Sequence, residues 1–174
     1  DQSAEVILLL DGRVDSISET LPGELSGWVS HHPDIAWASA LALDPDGLVY
    51  EAGRVVGHGD CSAPLFRGVH PYTFGWFGGP LWYRNATAAS PYAIAMDASA
   101  VGDAVAQLPD GCTSFATLCR MLVSTGRRGL VNPHARIHLR QSLEPTWPND
   151  GALYKDDPYF NPVFRSVNPL SLLQ

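Results

Sequence analysis

Charge is scarce in this chain. Only 17% of its 174 residues are Asp, Glu, Lys or Arg, and the balance is acidic at −7. That excludes the basic face on which nucleic-acid binding rests, so no nucleic-acid partner is expected. Long apolar runs are missing too. None approaches the roughly 20 residues that a membrane-spanning helix needs. The opening residues DQSAEVILLL carry no basic segment and no small-residue cleavage site, so no secretory signal is expected. They start almost inside a strand, which suggests a fragment, a processed chain or an excised domain. Cysteine is sparse: Cys61, Cys112 and Cys119 have no CxxC spacing. A zinc site is therefore not expected, and idle thiols in a reducing, cytoplasmic compartment are. The sequon Asn85-Ala86-Thr87 has no use there. There is no internal repeat and no low-complexity tract.

What remains is a globular composition, 45% hydrophobic, long enough for one domain with a sizeable core. Glu5 to Leu10 reads as a short strand whose consecutive apolar residues suit cover on both faces. Ser18 to Ser30 reads as a helix capped by Ser18, with Leu21, Leu25 and Trp28 on one face and His31-His32-Pro33 at its end. Ile35 to Leu43 alternates strictly. Ile35, Trp37, Ser39, Leu41 and Leu43 share one face, and the alanines 36, 38, 40 and 42 form another that lets a helix pack closely. Asp44-Pro45-Asp46-Gly47 is a turn, and Leu48 to Tyr50 returns as a hairpin.

Residues 57–80 read as a long loop rich in Gly, Pro and aromatics. Tyr92 to Met96 is a strand, and Asp97 to Leu108 and Thr113 to Thr125 are helices. The second of these is capped by Thr113 or Ser114 and closed by Gly126. Gly129 to Asn132 and Ala135 to Leu139 are short extended pieces around Pro133. Alternating strands and helices define an α/β class, with too few strands for a complete doubly wound domain. The expected organisation is a domain over 1–139 and an irregular tail over 140–174 that wraps it.

Several motifs stand in an informative order: VILLLDGR, ASALALDPDGLVYEAGRVVG, WYRNATAASPYAIAM, SFATLCRMLVSTGRRGLVNPHARIHL and DPYFNP. Together they resemble the second half of a family-2 glycosyltransferase of the GT-A fold, the type that builds bacterial surface polysaccharides. The resemblance covers nearly the whole chain. It implies a partial GT-A-like sheet with flanking helices, and a function in sugar transfer from a nucleotide sugar to a glycan acceptor. It also implies a missing first half that would hold the base and uridine, and magnesium or manganese at the diphosphate. The strand resembling Glu5 to Leu10 is interior in that family. Here a missing N-terminal half, a partner chain, a second copy or the tail is expected to cover it.

The departures from the family pattern bear on chemistry. Asp11 matches the first acid of the family's metal-binding motif, but Arg13 stands at the second acid's position. Ser114, Phe115, Ala116 and Thr117 stand where the family carries the carboxylate that activates the acceptor. His138 matches a histidine that contacts the metal or diphosphate. Inverting transfer needs a base near the acceptor hydroxyl and charge stabilisation for the leaving diphosphate. The resemblance therefore implies a degenerate or incomplete transferase, or a non-catalytic carbohydrate- or nucleotide-binding or assembly module.

The candidate nucleotide-diphosphate or metal residues are Asp11, Arg13 and His138, and no catalytic residue is assigned. Each has a plainer reading. Asp11 also suits a turn that bonds nearby backbone, and Arg13 a solvated surface. Alternatively the Arg13 guanidinium replaces the cation and takes the diphosphate directly. His134 and His138 suit structural roles, and one Asp with one His makes a poor divalent site. His58-Gly59-Asp60-Cys61 fits no strong metal motif, and Asp103 and Asp110 suit solvated helix ends. The aromatics from Tyr72 to Trp82 suit either a sugar ring or core packing.

Overall fold

A computed structural model describes residues 5–57, 62–74, 76–108, 112, 114–140 and 157–159. Strand β1 (Val6–Leu10) leads to β2 (Val14–Ile17), helix α1 (Leu21–His31) and the long strand β3 (Ile35–Leu43). Short strands β4 (Val49–Glu51), β5 (Arg54–Val56) and β6 (Ser62–Pro64) follow, then a 3-10 helix over Trp76–Leu81 and strand β7 (Arg84–Asn85). Strand β8 (Ala93–Asp97), helices α2 (Ala98–Ala106) and α3 (Phe115–Ser124), and strand β9 (Arg128–Leu139) complete the described elements. The class is mixed α/β.

The main sheet runs β1-β8-β3-β9-β2, with β4 added to β3 and β7 to β9. Strand β9 is parallel to β3, while β8 is antiparallel to both β3 and β1. The carboxyl ends of β1, β3 and β9 therefore emerge at one edge of the sheet. In open α/β sheets this is the edge where ligands gather.

Strand β3 is buried throughout because helices cover both its faces. Trp37, Leu41 and Leu43 pack with Ala104 of α2 and with Ala116, Cys119 and Leu122 of α3. Ala38, Ala40 and Ala42 pack against Leu21, Leu25 and Val29 of α1. Each of those larger α1 side chains contributes about 1.5–3 kcal/mol by burial. The expected two-faced pattern is thus present from Trp37 onward. Beside the register shift between Ile35 and Trp37 the first two residues exchange sides, with Ile35 on the alanine face and Ala36 beside Trp37. Gly129 lies opposite Trp37, and a Cβ there would overlap the indole. Only glycine permits this approach.

Other expectations need correction. Strand β1 is not covered on both faces. Among the described residues it is the outer strand and pairs only with β8, and Leu8, Leu9 and Leu10 are 40, 44 and 52% exposed. Consecutive apolar residues suit a buried strand, but burial depends on neighbours that the described residues do not supply. The first helix starts at Leu21, not Ser18. The Ser18 hydroxyl instead accepts from Arg136 N–H at 3.2 Å, and β2 occupies the segment just before it. The two extended pieces around Pro133 form one strand. Asn132 Oδ1 accepts from His134 N–H at 2.9 Å, bridging an irregularity in which the missing Pro133 N–H costs nothing.

The other two helices are capped by side chains, the second by Ser114, one of its two expected caps. Asp97 Oδ1 accepts from Ala100 N–H at 3.0 Å, and Ser114 Oγ from Thr117 N–H at 3.3 Å. Asp44 Oδ1 accepts from Asp46 N–H at 3.0 Å and Leu48 N–H at 2.8 Å, closing the hairpin turn. Residues 57–80 are not one loop, since β6 pairs with β5 and the 3-10 helix begins at Trp76.

Part of the tail returns to the body. Asp157 is buried, and its carboxylate accepts from Val56 N–H at 2.7 Å, Thr87 Oγ1–H at 2.8 Å and Tyr159 N–H at 2.9 Å. The rest of the expected wrapping lies outside the described residues. Among the described residues no helix is long and apolar enough to cross a membrane.

Candidate functional site

Strand β1 ends in the turn Asp11-Gly12-Arg13 at the carboxyl edge. Asp11 N–H donates to Tyr92 O at 2.9 Å, which ties the turn to the start of β8. Asp11 Oδ1 accepts from both the backbone N–H and Nε of Arg13 at 2.8 Å. Its Oδ2 accepts from Arg13 Nη2 at 2.9 Å. One aspartate therefore closes its own turn and holds the following guanidinium in a two-pronged ion pair. The side-chain hydrogen bond from Arg13, helped by the Arg13 backbone and charge, lowers the Asp11 pKa to about 2. The same bond raises the Arg13 pKa.

Aromatic rings back this pair. The Arg13 guanidinium lies 4.8 Å from the Tyr92 ring centre, a cation–π distance. Tyr92 meets Tyr50 edge-on at 5.5 Å, and the Arg67 guanidinium lies 4.2 Å from the Tyr50 ring centre. Burial, then a hydrogen bond with Tyr50 and the charge of Glu51, raise the Tyr92 pKa. Sequence reading missed this layer, because nothing in the order of Tyr50, Glu51, Arg67 and Tyr92 marks them as neighbours. The pairing of β3 with β4 and β8 brings Tyr50, Glu51 and Tyr92 together, and backbone hydrogen bonds of Val49 with Gly68 and Val69 add Arg67.

Beneath the rings lies Glu51, 1% exposed. Arg54 Nη1 donates to its Oε2 at 2.6 Å, while Oε1 and the buried Ser90 hydroxyl complete no hydrogen bond. Desolvation raises the Glu51 pKa to about 7, against the opposing charges of Arg54 and Arg67 and the nearby Ser90.

The structure brings Asp11 and Arg13 together but leaves His138 apart. His138 is exposed on β9 opposite Ser16, in an open groove with Asp15, Pro45 and Arg140. Its link to the turn is through the backbone, where Arg140 N–H donates to Arg13 O at 3.0 Å. His134 instead lies beside Tyr83, with ring centres 5.3 Å apart. Asp103 is exposed on α2, while His58, Asp60, Cys61 and Asp110 fall outside the described residues.

These residues do not fit a divalent cation. Both Asp11 oxygens are committed to Arg13, and His138 makes no contact with them. Among the described residues no group of three or more His, Cys, Asp or Glu is placed to hold a metal. At the start of α3 the Ser114 hydroxyl serves as cap, and the first turn carries no acid. What the edge offers is a guanidinium fixed by a carboxylate and a ring, with the remainder of its donor fork at the surface. That chemistry suits phosphate oxygens.

Compared with protein-family models, with curated proteins and with solved structures, the chain matches none.

Proposed function

We propose that the chain is a glycosyltransferase-like domain, related to the GT-A half that family-2 enzymes use to hold a sugar-nucleotide diphosphate, and degenerate or incomplete on its own. The observation that carries this reading is the Asp11–Arg13 pair at the carboxyl edge of the parallel strands. The guanidinium stands against the carboxylate that a cation would otherwise bridge to phosphate. Arginine supplies the same positive charge in a fixed plane and meets phosphate oxygens two at a time. Proton removal from an acceptor is not provided at α3, where Ser114 to Thr117 supply a cap and no base.

The open edge of β1 supports incompleteness. Among the described residues β1 pairs only with β8 and its leucines are exposed, and an open apolar edge is a pairing hazard, so the reading includes cover from a missing half, another chain, a second copy or the tail. Titration with uridine and deoxythymidine diphosphate sugars, with and without manganese, tests the reading. Metal-independent binding that Arg13→Ala weakens supports it. Manganese-dependent binding with turnover overturns it. Glycan binding without nucleotide binding favours the alternative, a non-catalytic carbohydrate-binding module.

A further inference from the structure

A carboxyl that only holds an arginine belongs at the surface, where water satisfies its second oxygen. Glu51 is instead buried, and among the described residues only its Oε2 is bonded, to Arg54. The Ser90 hydroxyl beside it is buried too and completes no hydrogen bond. That hydroxyl can donate to the carboxyl when it is ionised and accept from it when it is neutral. The site therefore accommodates either protonation state. Among the described residues, the charged and titratable groups that face Glu51 are Arg54 of β5, Arg67 and Tyr92. Desolvation against the two arginines leaves its pKa at about 7, so both states lie within reach near neutral pH.

The same groups extend to the carboxyl edge of the sheet. Arg67 lies against the Tyr50 ring, Tyr50 meets Tyr92, and Tyr92 backs the Arg13 guanidinium. Tyr92 feels the charges of both Glu51 and Arg13. Ser90 and Tyr92 flank Pro91, whose ring stiffens the short link between them. Packed rings thus separate the buried carboxyl from the guanidinium at the edge. Charge acts more strongly across such a layer than across solvent, and salt screens it less. With Glu51 ionised, Arg13, Arg54 and Arg67 are balanced by two carboxylates, Asp11 and Glu51. With Glu51 neutral, Asp11 alone remains.

We infer that proton uptake by Glu51 and anion binding at the Arg13 edge are linked, the edge holding a phosphate-bearing ligand more tightly when the carboxyl beneath it is neutral. The inference rests on the reading of Arg13 as a phosphate site and adds its regulation. Linkage is reciprocal, so a bound anion also draws the proton onto Glu51. Affinity is then greatest below neutral pH and falls as Glu51 ionises.

Uridine diphosphate glucose is the first probe, because neither its diphosphate nor its base changes protonation between about pH 5.5 and 8. Inorganic sulfate, equally constant there, probes the edge without a nucleoside. The wild type is expected to bind each roughly three- to tenfold more weakly at the upper pH than at the lower. Glu51→Gln is expected to bind equally at both, with the low-pH affinity of the wild type, and circular dichroism checks that it folds. Groups that both proteins share, His138 in its groove among them, cancel in the comparison. A second measurement needs no variant. The carbon-13 shift of Glu51 Cδ reports its titration, and saturating ligand should raise the midpoint by about half to one pH unit. Equal pH profiles in the two proteins, or a midpoint that the ligand leaves in place, overturn the inference and leave the nucleotide-sugar reading standing. Sulfate binding with the Glu51-dependent profile, but no nucleotide-sugar binding, supports the inference and overturns that reading. Binding of neither probe overturns both.

Discussion

Glu51 gives the sharpest physical prediction. Its carboxyl is buried, with one ion-pair partner at 2.6 Å and one oxygen without a hydrogen bond. Desolvation outweighs the two nearby arginines and raises its pKa from 4.5 to about 7. Between those values the folded chain keeps a proton that the unfolded chain releases. Stability from this group is therefore full below the unfolded value and is lost as pH rises through the folded one. The size of the shift corresponds to about 3 kcal/mol.

Glu51→Gln keeps the shape and removes the titration, while Arg54 retains the Ser62 hydroxyl at 2.9 Å and the Ser62 carbonyl at 3.2 Å. Urea unfolding at intervals from pH 4.5 to 8 measures both proteins. Groups that both proteins share cancel in the difference, and Asp11 titrates near 2, below the window. The wild type is expected to lose about 3 kcal/mol relative to Glu51→Gln across that range. Two parallel curves would refute the reasoning, because they would mean that Arg54 keeps Glu51 ionised in the fold.

Other perturbations probe packing and the open edge. Gly129→Ala gains a little strand propensity but drives a methyl into the Trp37 indole. The net expectation is a loss of about 1–3 kcal/mol, read by urea unfolding, and an unchanged midpoint would contradict the close approach. Asp157→Ala strands Val56 N–H and the Thr87 hydroxyl, at a cost of about 2–4 kcal/mol. A loss under about 0.5 kcal/mol would show that the tail contact is dispensable. Without its covering partner the wild type should self-associate with rising concentration in sedimentation velocity, and Leu9→Lys should suppress this by charging the edge. A wild-type chain that stays monomeric at high concentration would contradict cover by a second copy.

Local chemistry made much of this fold legible. Strict alternation from Ile35 to Leu43 gave a strand with two different faces, and Asp97 and Ser114 announced helix starts through their capping oxygens. Strand β2 was hidden because Val14 to Ile17 is short and mostly polar, so neither period stands out. Ser18 looked like a cap because it precedes a helical pattern, yet β9 claims its hydroxyl from far along the chain. The site was half legible. Asp11 and Arg13 are two residues apart, and a carboxylate beside an arginine is readable from order alone. The ring layer of Tyr92 and Tyr50 and the buried Glu51 exist only through strand pairing. Whether the aromatics between Tyr72 and Trp82 faced core or water depended on packing that composition does not encode.

The central claim is that Arg13 stands in the place of a cation at the end of β1. Calorimetric titration with a uridine diphosphate sugar, in chelator and in manganese, for wild type and Arg13→Ala, tests it most directly. The account predicts equal wild-type affinity in both buffers and at least a roughly tenfold loss in Arg13→Ala. Binding that requires manganese and survives Arg13→Ala would contradict it.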